Sequence, residues 1–198
     1  MTIWDERYLG NEYAFGVEPN VFLLQIQHLL PTSGKALDLA TGEGRNAVFL
    51  AKHGLTTTGI DVSQVGLDKA KRLAAANQVA VDFINHNALT MNWQAPYDVI
   101  SSVFFHLPVP ARHQMGAKIV DALAPNGLFV GVFYHTQQLG LGTGGPSKVE
   151  MLGTLNDWQS AYQGLHWLHA EHRTHHLNEG SRHVGTSSVV YLLGQKPL

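Results

Sequence analysis

Between residues 20 and 133, strand-like runs alternate with helix-like ones. That alternation restricts the chain to repeated βα units on a mostly parallel sheet. Val21 to Leu30 reads as an apolar-rich helix that Asn20 can cap, and Lys35 to Leu39 as a short buried strand. Arg45 to His53 reads as a helix stopped by Gly54. Leu55 to Ile60 is the second strand, and Ser63 caps a helix running to Ala76, where Leu67, Ala70, Leu73 and Ala74 recur at helical spacing. Val79 to Ile84 and Tyr97 to Val103 are the third and fourth strands. Pro110 to Leu123 is a helix closed by the turn Pro125-Asn126-Gly127, and Leu128 to Tyr134 is an apolar fifth strand of the central type. Two further strands, near 165–171 and 187–194, have no helical pattern between them and pair as an antiparallel hairpin at the sheet edge. The expected fold is α/β and doubly wound: a mostly parallel, seven-stranded, Rossmann-like sheet with helices on both faces.

No linker, repeat or low-complexity block divides the chain, so residues 1–198 are expected to form one domain, with 1–30 as an N-terminal lid and helix region. A net charge of −2 provides no electrostatic footprint for a nucleic-acid backbone or an anionic membrane. The absence of cysteine excludes disulfides, thiolate zinc sites and a thiol nucleophile. No apolar run approaches the roughly 20 residues of a membrane span, and the amino terminus lacks a signal-peptide core. A cytoplasmic protein acting on a small molecule is the expectation; the oligomeric state is not readable. Among 12 histidines, four crowd into 169–176. On a strand His169 and His172 point to opposite faces, which argues against convergence on a metal.

In an open α/β sheet, ligands bind outside the carboxyl ends of the strands. The first strand here runs into Asp38-Leu39-Ala40-Thr41-Gly42-Glu43-Gly44-Arg45-Asn46, and the second ends at Asp61. Gly42 and Gly44 allow a tight turn and close backbone approach to a ligand, and an acid at the end of the second strand suits ribose hydroxyls. The spacing Gly42-x-Gly44-x-x-Ala47 also matches the dinucleotide fingerprint. Charge separates the two. A pyrophosphate would meet the carboxylates of Asp38 and Glu43, whereas a cationic nucleoside would be welcomed by them.

At these residues the chain resembles the class I S-adenosylmethionine-dependent methyltransferases, closest to the small bacterial group that includes the tellurite-resistance methyltransferases. The likeness runs through EYAFGVEPN, LDLATGEGRNAVFLAKHG, GIDVSQVGLDKA, SSVFFHLP, TGGP and EHRT. It implies S-adenosyl-L-methionine as cofactor and S-adenosyl-L-homocysteine as product. Asp38, Leu39, Ala40, Thr41 and Gly42 would hold the methionine moiety, Asp61 the ribose, and Val62 would flank the adenine. Asn87, Ala88 and Leu89 would contact the adenine amino group, and the backbone of Ser101, Ser102 and Val103 would lie near the amino group and the acceptor. Two positions depart from the family pattern. Ala40 replaces a glycine, tolerable with a negative φ, and Asn87 replaces an aspartate, keeping an acceptor oxygen without its charge.

On the acceptor side, Phe104-Phe105-His106-Leu107-Pro108 gives an apolar rim with one titratable group, His106. Tyr134 and His135 end the fifth strand on the same edge. Arg173, beside His172, suits an anionic substrate. The aromatics Trp4, Tyr8, Tyr13 and Phe15, and the glycine-rich stretch 140–146, are candidate covers over a small pocket. The expected reaction is methyl transfer to a small soft or anionic acceptor, such as a sulfur, selenium or tellurium compound. The rivals are an NAD(P)-dependent oxidoreductase and a non-catalytic S-adenosylmethionine-binding protein.

Overall fold

The computed structural model describes residues 2–198. Seven strands form one sheet: β1 Lys35–Leu39, β2 Thr56–Asp61, β3 Val81–Asn85, β4 Tyr97–Val103, β5 Leu123–Tyr134, β6 His166–Glu179 and β7 His183–Gln195. Their spatial order is β3-β2-β1-β4-β5-β7-β6. The first five are parallel, and β7 inserts antiparallel between β5 and β6. Chain order reverses at β1, which has β2 on one side and β4 on the other. A crevice therefore opens above the carboxyl end of β1.

Both faces of the sheet are packed. On one, Phe22, Leu23 and Ile26 of α2 (Val21–Ile26) and Leu50 of α3 (Arg45–Lys52) meet Ala36, Val99, Val130, Val132 and Tyr191. On the other, Met115 and Ile119 of α5 (Val109–Ala122) and Trp158 of α6 (Leu155–Ala161) meet Leu37, Leu39, Ile100, Phe129 and Phe133. The alternation of Ala36 with Leu37 across the two cores is the two-residue period of a strand buried on both sides. Helix α4 (Gln64–Ala76) buries Leu73 and Ala74 against Val48 of α3.

Several boundaries differ from the sequence reading. The helix expected over 21–30 tightens after Ile26 into a 3₁₀ turn, Gln27–Leu29. The fifth strand begins at Leu123, and its pairing with β4 shifts register between Tyr97 and Val99, where Pro125-Asn126-Gly127 bends the chain. The hairpin strands are longer than expected and approach each other at the turn 180–182. Helices α6 and α1 (Ile3–Tyr8) were not anticipated. Each opens on a capping box, Thr154 with Asp157 and Thr2 with Asp5. That local signature is readable in sequence, but both helices are too short for apolar periodicity to show. The crowded histidines divide between faces: His169 packs on Phe22 and His172 stacks on His135. Among the described residues, no helix is long and apolar enough to cross a membrane.

Candidate cofactor and acceptor site

After Leu39 the chain turns sharply through Ala40, Thr41, Gly42, Glu43 and Gly44 into α3. The amide of Gly42 donates to Asp61 Oδ2 and that of Ser63 to Asp61 Oδ1, each at 2.8 Å. Asp61 thereby locks the glycine turn to the end of β2. Gly44 has φ +89°, and a Cβ there would fall 2.6 Å from Ala70 Cβ. Only glycine lets α3 start this close to α4.

Ala40 sits at φ +52°, which overturns the expectation of a negative φ. Three hydrogen bonds hold the turn in shape: Thr41 N–H to Ile60 O (3.0 Å), Gly44 N–H to Thr41 O (2.9 Å) and the Asp61 contact. They impose the left-handed conformation on a residue whose Cβ opposes it, at a cost of about 1–2 kcal/mol. Ala40→Gly should therefore raise stability by a net amount of about 0.5–1 kcal/mol after the added freedom of the unfolded chain is subtracted. Thermal melting would show a rise of roughly 1–4 °C; an unchanged or lowered midpoint would refute the strain.

Asp38 is 1% exposed. Its Oδ1 accepts from Ser101 Oγ at 2.6 Å and its Oδ2 from Thr41 Oγ1 at 2.5 Å. Among the described residues no cation forms an ion pair with it, and Arg45 acts on it only from a distance. Burial raises its pKa to about 6 against the pull of those two hydroxyls, and burial likewise raises that of Asp61. Glu43 behaves differently from expectation. Its Oε1 lies 2.6 Å from Lys69 Nζ and its Oε2 accepts the Ala14 amide at 2.8 Å. It serves packing, and the uncompensated negative charge at the turn belongs to Asp38 and Asp61.

Glu43, Arg45 and Asn46 hold a strap formed by residues 12–20. Lys69 Nζ donates to Glu12 O (2.6 Å), Arg45 to Phe15 O (3.0 Å), and Asn20 N–H to Asn46 Oδ1 (2.9 Å). Arg45 also pairs with Glu179 at 2.6 Å, and Asn20 Nδ2 donates to the same carboxylate at 2.8 Å. Ahead of the strap, α1 lies over the crevice. Asp5 Oδ1 accepts from Ser63 Oγ at 2.6 Å, and the Tyr8 ring is buried on Gly42 and Gly66. Of the aromatics expected as covers, Tyr8 packs on the glycine turn with Trp4 stacked on it, Phe15 packs on His183, and Tyr13 donates to Lys69 O at 3.1 Å.

Of the remaining residues expected at the cofactor, Val62 is 39% exposed beside Asp61, and Ala88 is buried in the core below β3 with Leu89 packed beside it. Asn87 is exposed, and its Oδ1 accepts the Leu89 amide at 3.0 Å, capping a turn. Its oxygen keeps a second lone pair beyond this local bond. Ser102 and Val103 are buried at the end of β4.

His106, expected as a free titratable group, is held by its Nε2, which accepts the Tyr134 amide at 2.9 Å. Burial pulls its pKa down to about 3, so it is neutral and positions β5. Arg173 lies off the site, exposed on the edge strand and paired with Glu171 at 2.8 Å. Tyr134 lies on the site edge, wholly buried. Beside it is His183, from the hairpin tip, which sequence reasoning missed. Its neighbours Phe15, Phe104 and Tyr134 come from three distant segments, and no local signal marks it. Phe104 has φ +55°. Of the four non-glycine residues with left-handed φ among the described residues, Ala40 and Phe104 follow the carboxyl ends of β1 and β4, while Gln78 and Asn126 lie in turns elsewhere.

Residues 36–127 match the family model described as a methyltransferase domain. A putative methyltransferase of Geobacillus sp. (strain WCH70) is 28% identical over 109 residues, 53% of this chain and 44% of that protein. A 23S rRNA (uracil(747)-C(5))-methyltransferase of Pyrococcus horikoshii is 32% identical over 98 residues, 40% of this chain and 24% of that protein. The chain thus spans less than half the length of either relative. The crystal structure of TehB from Haemophilus influenzae superimposes with a TM-score of 0.73 at 15% identity, over 98% of this chain and 65% of that one. Residues 36–127 are thus similar to a methyltransferase domain, and the fold of the chain is one that such enzymes share.

Proposed function

We propose that the chain transfers a methyl group from S-adenosylmethionine to a small-molecule acceptor. The observation that carries this reading is Asp38, a carboxylate buried beneath the glycine turn with hydroxyl partners and no counter-cation. A buried anion left this way is costly and is relieved by a cationic ligand. The ammonium of S-adenosylmethionine supplies that charge, directly or through water, and its sulfonium carries the activated methyl group. Asp61 has lone pairs left for ribose hydroxyls beyond the two amides it accepts. The exposed Val62 side chain offers an apolar wall to the adenine, and α1 with Tyr8 excludes water. A phosphate-bearing cofactor would face both Asp38 and Asp61, which disfavours the dinucleotide alternative.

The acceptor class expected from sequence divides. An anionic acceptor loses its support, because Arg173 is exposed and committed to Glu171. A soft sulfur, selenium or tellurium centre keeps its support from the aromatic rim and from the tellurite-group likeness in EYAFGVEPN, SSVFFHLP, TGGP and EHRT. A small acceptor is favoured over RNA by the enclosed rim and the net charge of −2. The cysteine-free composition fits a cytoplasmic setting.

Calorimetric titration tests the reading. S-adenosylhomocysteine should bind saturably at one site per chain, and NAD should not. Tight NAD binding would end it. Release of S-adenosylhomocysteine in turnover with small thiols and selenols would separate an enzyme from a binding protein.

A further inference from the structure

Among the described residues, two buried polar atoms without a hydrogen-bond partner, Tyr134 Oη and His183 Nδ1, belong to rings that meet edge to face with centroids 5.7 Å apart. Tyr134 is wholly buried and His183 is 6% exposed. Both side chains converge on Gly144, where a Cβ would fall 3.0 Å from Tyr134 Oη and 2.8 Å from His183 Cδ2. The nearby Ser187 hydroxyl is shared between Thr143 Oγ1 (2.9 Å) and Gly185 O (3.4 Å). Buried phenol and imidazole groups are nearly always bonded in native structures, so an unpaired pair at one spot calls for a partner from outside the chain.

The surroundings define that partner. Phe104 lies 4.7 Å from the Tyr134 ring and 4.6 Å from His183, and Phe15 lies 4.5 Å from His183. Of the charged groups that influence this cluster, Arg45 and Glu179 are paired with each other, and Arg7 stands over the Trp4 ring. The lining is therefore aromatic and uncharged. Two of its walls are separable from the sheet. Phe15 belongs to the N-terminal strap. Gly144 and Gly145, both at left-handed φ, press on the Tyr134 ring from a loop tethered by Gln138 Nε2 to Gly144 O (3.1 Å) and Thr143 Oγ1 to Thr186 O (2.7 Å). Because the rings touch in this structure, a ligand enters by lifting these covers.

We infer that Tyr134 Oη and His183 Nδ1 recognise the methyl acceptor, and that this acceptor is a small uncharged molecule with a flat apolar body and one O–H or S–H group. Tyr134 donates to the acceptor's oxygen or sulfur, and His183 Nδ1 accepts its proton in a hydrogen bond. The inference rests on the methyl-transfer reading and names its substrate class.

The test titrates 2-naphthol and benzyl mercaptan, with tellurite as the anionic comparator, into the full chain saturated with S-adenosylhomocysteine at pH 7. A neutral probe should bind and tellurite should not. Tyr134→Phe should weaken that probe roughly 10-fold or more, leave S-adenosylhomocysteine affinity unchanged, and hold or raise the melting temperature, since an unpaired buried hydroxyl is removed. His183→Phe should weaken it similarly, and His183→Asn, which restores a polar atom near Nδ1, should recover part of the loss. Equal probe binding by wild type and Tyr134→Phe, or binding of tellurite alone, overturns the inference. If S-adenosylhomocysteine binds and neither neutral probe does, the recognition pair falls while the methyltransferase reading stands. If S-adenosylhomocysteine itself fails to bind, both fall.

Discussion

Asp38→Asn should weaken S-adenosylmethionine binding by roughly 10–100-fold, the factor given by losing about 1.5–3 kcal/mol of charge-assisted hydrogen bonding. The same substitution should stabilise the empty protein. Asparagine keeps the shape and can still pair with Thr41 and Ser101, but it carries no buried charge. The pH dependence follows from the sign of the shift. Asp38 has a folded-state pKa of about 6 against an ordinary 3.8, so between these values the folded chain holds a proton that the unfolded chain has released. Stability from this group falls as pH rises through that window and stays low above it. The unliganded wild type should therefore gain stability relative to Asp38→Asn as pH is lowered from 7 to 5. Cofactor affinity should fall over the same range as the carboxylate is neutralised. Differential scanning calorimetry and isothermal titration of both proteins at pH 5, 6 and 7 provide the measurement. An asparagine variant that binds as tightly as wild type would remove the basis for placing a cation there.

Gly116→Ala should be the more damaging change for the fold. Gly116 lies mid-way along α5, and a Cβ there would fall 1.8 Å from the Ala161 carbonyl oxygen at the end of α6. The obstacle is backbone, so no rotamer change relieves it, and α6 must move away. Overpacking of this kind costs about 1–3 kcal/mol and occasionally more. The gain of roughly 1 kcal/mol from alanine's helix propensity offsets part of that. A net loss of up to about 2 kcal/mol should lower the melting temperature by up to roughly 8 °C. Because Trp158 of α6 stacks on Phe133 at 4.0 Å and donates to Tyr134 O, acceptor turnover should fall as well. A variant melting at the wild-type temperature would mean that α5 and α6 are not in such close contact.

These predictions draw unequally on what a reader of the sequence could see. The alternation of strands and helices, the antiparallel hairpin, and Asp38 and Asp61 at strand ends were all legible, because strand period, turn chemistry and a glycine motif act over a few residues. The conformation of Ala40 was not. Its φ is dictated by hydrogen bonds from Ile60 and Asp61, about twenty positions away. Glu43 misled for a related reason: a carboxylate in a glycine motif reads as ligand-facing until Lys69 and the Ala14 amide are found beside it. Arg173 and His106 failed as acceptor residues because their partners, Glu171 and the Tyr134 amide, take the groups that chemistry would have used. His183 was invisible because the turn 180–182 carries it to Phe15, Phe104 and Tyr134, an encounter with no trace in local spacing.

Arg45 opens the helix that follows the glycine turn, yet its counter-charge Glu179 arrives 134 positions later. On a ribosome, the first five strands can emerge while this guanidinium still lacks its carboxylate. Asn20, separated from Glu179 by 159 positions, must wait as well. The pocket's front wall is therefore riveted shut only once residue 179 has been made, so chains stopped before it carry an unfinished binding cleft.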